Sequence, residues 1–456
     1  MRNASYDVVV IGGGTAGLAA AKRCASHRLK VALIERGRLG GECLWTGCIP
    51  AKTMLNSASV YHLMQRAGEF GLPEFARPVD WARVVRAKDE VVDRIAQESS
   101  PEVLAAQGVD TFQGAASFRS PHEVTVGGRV IVGRNIVVAT GSRQAELRNV
   151  PGLREVGYIT HVDAVTMPRL PRRIAVIGAG PVGVEFAQMF GRLGAEVIVM
   201  ERSDMILSQE DPEISAYLEH VLTEEGLCII HDCSVRYVRG AGEAKALGLE
   251  DATGYGELIV EEILLATGRV PNLEELNLEA AGVQVNKRGI VVDEYLRSSV
   301  PHIYACGDVS GQYLFSHVAE YQAGVAAHNI AFLEAPIRAD YRIVPWATFT
   351  DPQVGHVGLT EPQAREAGYE VKVERFYLSG LDRALTLRQA QGMVKVVAEA
   401  KSGRILGAHI VAPNASNLIH EYVLAMKAGI PLREIADTMH AYPTLSEAVK
   451  AAAAKF

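Results

Sequence analysis

Apolar and polar positions along the chain draw one short figure twice. Tyr6-Asp7-Val8-Val9-Val10-Ile11 is a brief, β-branched apolar run, which predicts a strand buried on both faces. It breaks at Gly12-Gly13-Gly14-Thr15-Ala16-Gly17, continues as the helical pattern LAAAKRCASH, and closes with the strand KVALIE ending at Glu35. Strand, glycine turn, helix and strand make a βαβ unit. The order recurs as Ile174-Ala175-Val176-Ile177, then Gly178-Ala179-Gly180-Pro181-Val182-Gly183, the helical VEFAQMFGRLG, and the strand EVIVME ending at Glu201. In both units the closing glutamate stands 23 positions after the first glycine. Two equal units predict two dinucleotide-binding domains of α/β class.

Two further strands end in Ala-Thr-Gly, IVVATG at 136–141 and ILLATG at 263–268, and each is read as closing one nucleotide domain. Pro151-Gly152 and the prolines at 168 and 171 mark connecting turns. From about residue 341 alternating strands (MVKVVAEA, ILGAHIVA) mix with helical stretches, and EAVKAAAAKF reads as a short terminal helix, so a third, α+β domain is expected. The expected division is 1–150 and 271–340 for two parts of the first nucleotide domain, 151–270 for the inserted second, and 341–456 for the last.

Length and composition agree with a multidomain globular chain: 456 residues exceed what one core serves, and 48% hydrophobic against 22% charged residues leave no sign of disorder. A net charge of -7 without a Lys/Arg block argues against a polyanion partner, so no nucleic acid is expected. The start MRNASYDVVVIGGG shows no leader pattern and no run of about 18 apolar residues occurs, so a cytoplasmic protein without a membrane partner is expected. The six cysteines, at 24, 43, 48, 228, 233 and 306, are too few for a secreted disulfide scaffold.

The glycines suit a tight turn and close approach of backbone to a pyrophosphate at a helix N-terminus, where N–H groups and dipole favour an anion. Gly12, Gly14 and Gly17 form one such loop and Gly178, Gly180 and Gly183 the other, while Glu35 and Glu201 are placed to accept from ribose hydroxyls. A carboxylate at Glu201 repels an extra 2′-phosphate, which favours NAD(H); Arg202 beside it leaves NADP(H) as the alternative.

Two cysteine pairs have equal spacing, Cys43/Cys48 and Cys228/Cys233. The first lies in Gly40-Gly41-Glu42-Cys43-Leu44-Trp45-Thr46-Gly47-Cys48-Ile49-Pro50-Ala51-Lys52, ahead of the helical TMLNSASVYHLMQ. Pro50 suits a first helical position, which sets Cys48 just before a helix N-terminus, where a thiolate is stabilised. Lys52 adds positive charge nearby. No second pair of ligands accompanies the cysteines at zinc spacing, so no metal site is expected. Cys228 and Cys233 read as packing residues or as incidentally exposed, and Cys24 and Cys306 as structural.

Together these segments resemble the pyridine nucleotide-disulfide oxidoreductase family, the group that holds dihydrolipoamide dehydrogenase, glutathione reductase and mercuric reductase. The resemblance spans nearly the whole chain and rests on both glycine loops, Gly-Gly-x-Cys-x4-Cys-x-Pro-x-Lys, Ala139-Thr140-Gly141, Ala266-Thr267-Gly268-Arg269 and Ile303-Tyr304-Ala305-Cys306-Gly307-Asp308. It implies FAD on the first domain and NAD(P)H on the inserted one, with Thr140, Gly141, Gly268, Asp308 and Ala319 joining the cofactor sites. It further implies a hydride passed from nicotinamide to flavin and two electrons onward to a Cys43–Cys48 disulfide, with Cys48 facing the flavin and Cys43 exchanging with substrate. Lys52 and Glu185 would pair near the flavin, and the last domain would form a homodimer and complete the partner's site.

One departure limits the substrate reading. Thiol-exchanging relatives carry a histidine before a C-terminal proline, with a glutamate five positions later; here those places hold Tyr442 and Glu447, and His440 lies two residues upstream. Tyrosine, with an unperturbed pKa of about 10, is a poor base at neutral pH. An extended segment would point His440 to the same side as Tyr442. The readings left open are a dihydrolipoamide dehydrogenase type of oxidoreductase for a small substrate, a mercuric reductase, and a flavoprotein subunit docking a lipoyl domain or another redox partner.

Overall fold

The computed structural model describes residues 4–75, 77–252 and 254–456. The chain folds as two compact units, one made of the residues up to Ala51 with Arg86–Glu146 and Gly268–Asp340, the other of Lys52–Val85, Leu147–Thr267 and Tyr341–Phe456.

In the first unit the glycine loop follows the central strand of a seven-stranded sheet. Ala4–Ile11 pairs in parallel with Val31–Glu35 on one side and Arg129–Val138 on the other. Val109–Gln113, Glu123–Val126, Ala116–Ser120 and Ile303–Ala305 complete the sheet. The expected double burial of the first strand is what the packing shows. Val8 and Val10 join the cluster under the helices Thr15–Ser26 and Ser316–Ala331, and Val9 and Ile11 join the cluster on the opposite face.

The second unit repeats the plan on a smaller scale. Its parallel sheet runs Cys228–Ile230, Glu196–Met200, Arg173–Ile177, Glu262–Leu265, and the antiparallel strands Ser234–Ala241, Ala244–Asp251 and Gly254–Val260 form a separate sheet of three. The same unit carries a five-stranded antiparallel sheet in the order Pro345–Thr348, Gln353–Gly358, Ile405–Ala412, Met393–Glu399, Val371–Tyr377. Helices Ala415–Ala428 and Glu447–Ala453 cover one face of it through Ile419, Tyr422, Val449 and Ala452. Its polar positions are buried as well: Lys395 and His409 are 1% and 0% exposed. The reason is local, since both face the segment Glu210-Asp211 that leads into the helix Pro212–Glu224.

Candidate active site

The two glycine loops have the same construction. Gly12 and Gly178 adopt φ of 106° and 103°, and a Cβ on either would meet the carbonyl of Ala139 or Ala266 at 2.3 or 2.7 Å. Gly17 and Gly183 lie so close to the carbonyls of Gly12 and Gly178 that a Cβ would sit 1.7 and 1.9 Å from them. The middle glycines differ: a Cβ on Gly180 would meet nothing within 4 Å, and one on Gly14 only the Gly41 Cα at 3.8 Å. First and third glycines therefore serve the turn and the helix-to-strand contact, and the middle one leaves open the space a pyrophosphate needs. The closing acids are pinned alike. Glu35 accepts from Gly13 N at 2.5 Å and Gly37 N at 2.6 Å. Glu201 accepts from the backbone N–H of Ala179, Arg202 and Ser203 and from the Ser203 hydroxyl, at 2.7–2.9 Å. Burial works against its charge, but those donors hold its carboxyl below the usual range. Both cradles fit a dinucleotide.

The cysteine segment packs onto the first loop: Gly41, at φ 61°, comes so close to Gly14 that a Cβ there would meet the Gly14 Cα at 2.6 Å. Cys43 lies in the short helix Gly41–Trp45, and Cys48 opens the helix Cys48–Gln65. That corrects the expected boundary, because helical pairing begins at Cys48, two residues before Pro50, with Ala51 N bonded to Gly47 O. A proline in the first turn lacks an N–H that the helix does not use, so the helix starts ahead of it.

Cys43 and Cys48 stand as thiols, joined by a hydrogen bond and bridged by one hydroxyl. Ser316 Oγ lies 3.3 Å from Cys43 Sγ and 3.4 Å from Cys48 Sγ. The bond to Cys48 and burial push the Cys43 thiol far above the ordinary cysteine range, while Ser316 and Thr15 pull it down. Beside the thiols, Arg269 is clamped by Glu42 through two contacts of 2.7 Å, approaches Asp308 at 3.6 Å, and feels the charge of Cys48. Burial opposes its charge, and these anions hold the proton on it. Lys52 makes the expected pair with Glu185. Its ammonium lies 2.5 Å from Glu185, which also accepts from Phe349 N.

The other cofactor candidates fall in the same unit as the first loop. The Thr140 hydroxyl donates to Asn272 O, whose side chain returns a bond to Thr140 O, so this residue shapes backbone. Gly141 and Gly268, with φ of 69° and 105°, have no atom within 4 Å of a notional Cβ. Asp308 accepts from the Ser142 hydroxyl at 2.5 Å, and burial raises its carboxyl above the usual range. Ala319 is buried on the helix that Ser316 opens.

Residues 6–323 match the family model described as pyridine nucleotide-disulphide oxidoreductase, and residues 344–453 match its dimerisation domain. The chain belongs to this family. It is 38% identical to a mercuric reductase of Staphylococcus aureus, over all of this chain and 83% of the relative. It is also 38% identical to a dihydrolipoyl dehydrogenase of Thermus scotoductus, over 98% of this chain and 97% of that one. Among solved structures, the HOCl-induced flavoprotein disulfide reductase RclA from Escherichia coli superposes with a TM-score of 0.89 at 28% identity, covering 98% of this chain and 99% of that one. The protein is thus an FAD-dependent pyridine nucleotide-disulfide oxidoreductase that uses FAD and NAD(P)H. Among the described residues no helix is long and apolar enough to cross a membrane.

The family's C-terminal base position is where the structure departs most from the expectation. Tyr442 is 71% exposed and donates its hydroxyl to Asp382 at 2.8 Å, a bond that raises its pKa. Glu447 accepts from Thr444 N instead of orienting Tyr442. His440 does not share the side of Tyr442: its side chain is 7% exposed and bonds Glu421 at 2.9 Å and Thr438 O at 3.0 Å. The segment is not a simple extended strand, so alternation did not predict its facing. Arg269 stands in Ala266-Thr267-Gly268-Arg269 and had no role of its own there; Ser316 and Asp382 had no sequence signal. Cys228 is exposed, whereas Cys24, Cys233 and Cys306 are buried and burial raises their thiols.

Proposed function

We propose that the protein is an NADH-linked oxidoreductase of the dihydrolipoamide dehydrogenase type, exchanging electrons with a small disulfide or dithiol through Cys43 and Cys48. The observation that carries this reading is the pair of thiols bridged by the Ser316 hydroxyl, with Arg269, clamped by Glu42, feeling the charge of Cys48. FAD, when bound, supplies the two-electron relay between nicotinamide and sulfur. The chain's own residues do the rest. Arg269 favours thiolate at Cys48, and Ser316 can donate to either sulfur. In the reducing direction Cys43, giving up its proton, attacks a substrate disulfide and expels one thiolate, which takes up that proton. Cys48 thiolate then attacks Cys43, the second substrate thiolate leaves, and the two electrons lost by the pair are those the substrate gains.

Anaerobic NADH should produce a long-wavelength thiolate absorption that Cys43→Ser retains and Cys48→Ser lacks; persistence in Cys48→Ser overturns the assignment. Glu201, a fixed negative charge on the second loop, supports NADH over NADPH, and equal kcat/KM for the two would contradict this. A cytoplasmic homodimer assembled through the C-terminal domain belongs to the same reading, and a monomer in sedimentation would refute it.

Tyr442 favours a second reading, reduction of Hg(II). A thiol-bound metal needs no base to deprotonate it, and the tyrosine hydroxyl is engaged by Asp382. Hg(II)-dependent NADH oxidation above the oxygen background is the expected result there; none would leave the disulfide reading alone.

A further inference from the structure

Away from the cysteines, two histidines and a glutamate meet in the interior of the second unit. His356 and His409 are directly paired across the strands Gln353–Gly358 and Ile405–Ala412, so their side chains share a face of the sheet. Glu210 reaches the same point from the segment ahead of the helix Pro212–Glu224. The two histidines are 1% and 0% exposed and Glu210 is 5% exposed.

The protons decide what this cluster can hold. His356 Nε2 lies 3.0 Å from Gly358 O, and His409 Nε2 lies 3.1 Å from Leu359 O. A carbonyl only accepts, so each Nε2 carries a hydrogen and each ring turns its Nδ1 inward. The two Nδ1 atoms face one another at 3.2 Å, and the Glu210 carboxylate stands 3.1 Å from His356 Nδ1. Two imidazole nitrogens and a carboxylate oxygen converge on one point, a set that a shared cation satisfies. We propose that Glu210, His356 and His409 bind one divalent transition-metal ion of the zinc type through Oε2 and the two Nδ1 atoms.

Spacing and surroundings suit that ion. Bonds of about 2.0–2.1 Å in a tetrahedron set neighbouring ligand atoms about 3.3 Å apart, close to both distances here. The three ligand atoms lie within 4.8 Å of one another. Each histidine gives its other N–H to a backbone carbonyl, and Trp346 Nε1 donates to Glu210 Oε1 at 2.6 Å while its ring stacks on His356. Such outer bonds fix the tautomer and orientation of metal ligands. The nearby ammonium of Lys395 is offset by Asp211, Glu213 and Glu361. Water would take the fourth position. Bound there, the ion ties the five-stranded sheet to the segment that begins the helix Pro212–Glu224, a structural role separate from the redox reaction.

The test uses the FAD-loaded full chain carrying Cys43→Ser and Cys48→Ser, which removes thiol affinity for metals. After chelator treatment and addition of Zn2+, elemental analysis should find one ion per chain, X-ray absorption should show a nitrogen/oxygen shell at about 2.0–2.1 Å without sulfur, and Tm should rise. His356→Gln or Glu210→Gln in that background should cut the stoichiometry at least tenfold. No retained ion, retention undiminished in folded variants, or a sulfur shell overturns the proposal. So does NMR showing His356 doubly protonated in Zn2+-treated protein, since a proton then does the cation's work. Absorption spectroscopy on the unmutated histidines decides the matter even where a variant fails to fold.

Discussion

Ser316 holds both reactive sulfurs with one hydroxyl, and its contribution has a definite sign. Its hydrogen bond lowers the Cys43 thiol against burial and against Cys48. A hydrogen bond to a charged group contributes about 1.5–3 kcal/mol, which corresponds to about one to two pKa units. Ser316→Ala should therefore shift the pH profile of iodoacetamide alkylation in the reduced protein upward by about one unit, slowing the reaction about tenfold at pH 7. Superposable profiles would refute it. The thiols themselves were legible in the sequence because glycines and a proline frame them within ten residues. Ser316 was not legible, because 268 positions separate it from Cys48.

A helix and its preceding strand are held together by a contact that admits no side chain, and here the same contact occurs twice. Gly183→Ala should break it, because its Cβ would fall 1.9 Å from Gly178 O. Thermal unfolding should drop by several degrees and NADH reduction should fail. Gly180→Ala meets no protein atom within 4 Å, so Tm should stay at the wild-type value while KM for NADH rises about tenfold or more. Equal losses of stability in the two variants would contradict the division of labour among these glycines. At this scale the reading from sequence was strong, since turn, helix start and closing acid all fall within one βαβ unit. It was weaker where polar alternation met a second layer: in Met393–Glu399 and Ile405–Ala412 the polar positions are covered too.

Within the second unit, a charged cluster joins the nucleotide sheet's helix to the C-terminal sheet. Lys395 contacts Asp211 at 2.9 Å, with side-chain exposures of 2% and 0%, and also Glu213 and Glu361. Lys395→Met leaves Asp211 buried beside no ammonium, and urea unfolding should show a loss of about 3–5 kcal/mol. Glu213 gives the pH dependence. Arg375 chiefly, then Lys395, hold its carboxyl at about 2 against an ordinary 4.5. A depressed folded pKa contributes stability present above about pH 4.5 and lost as pH falls toward 2. Arg375→Leu should lower Tm by a few degrees at pH 7, and the gap to wild type should close between pH 4.5 and 2. A gap constant across that range would show that the pair contributes no charge-dependent stability.

By itself the sequence determined the two nucleotide cradles, the redox cysteines and the α+β character of the C-terminal part. Each depends on contacts within one strand, turn or helix, where side-chain period and glycine geometry act over a few residues. Tertiary structure alone decided the rest. It placed the Ser316 hydroxyl on both thiols, tied Tyr442 to Asp382 across 60 positions, and brought Glu210 to His356 across 146. Those meetings follow from sheet register and burial. A buried acceptor must find a donor or a cation wherever the fold sets it, and local spacing carries no record of that partner.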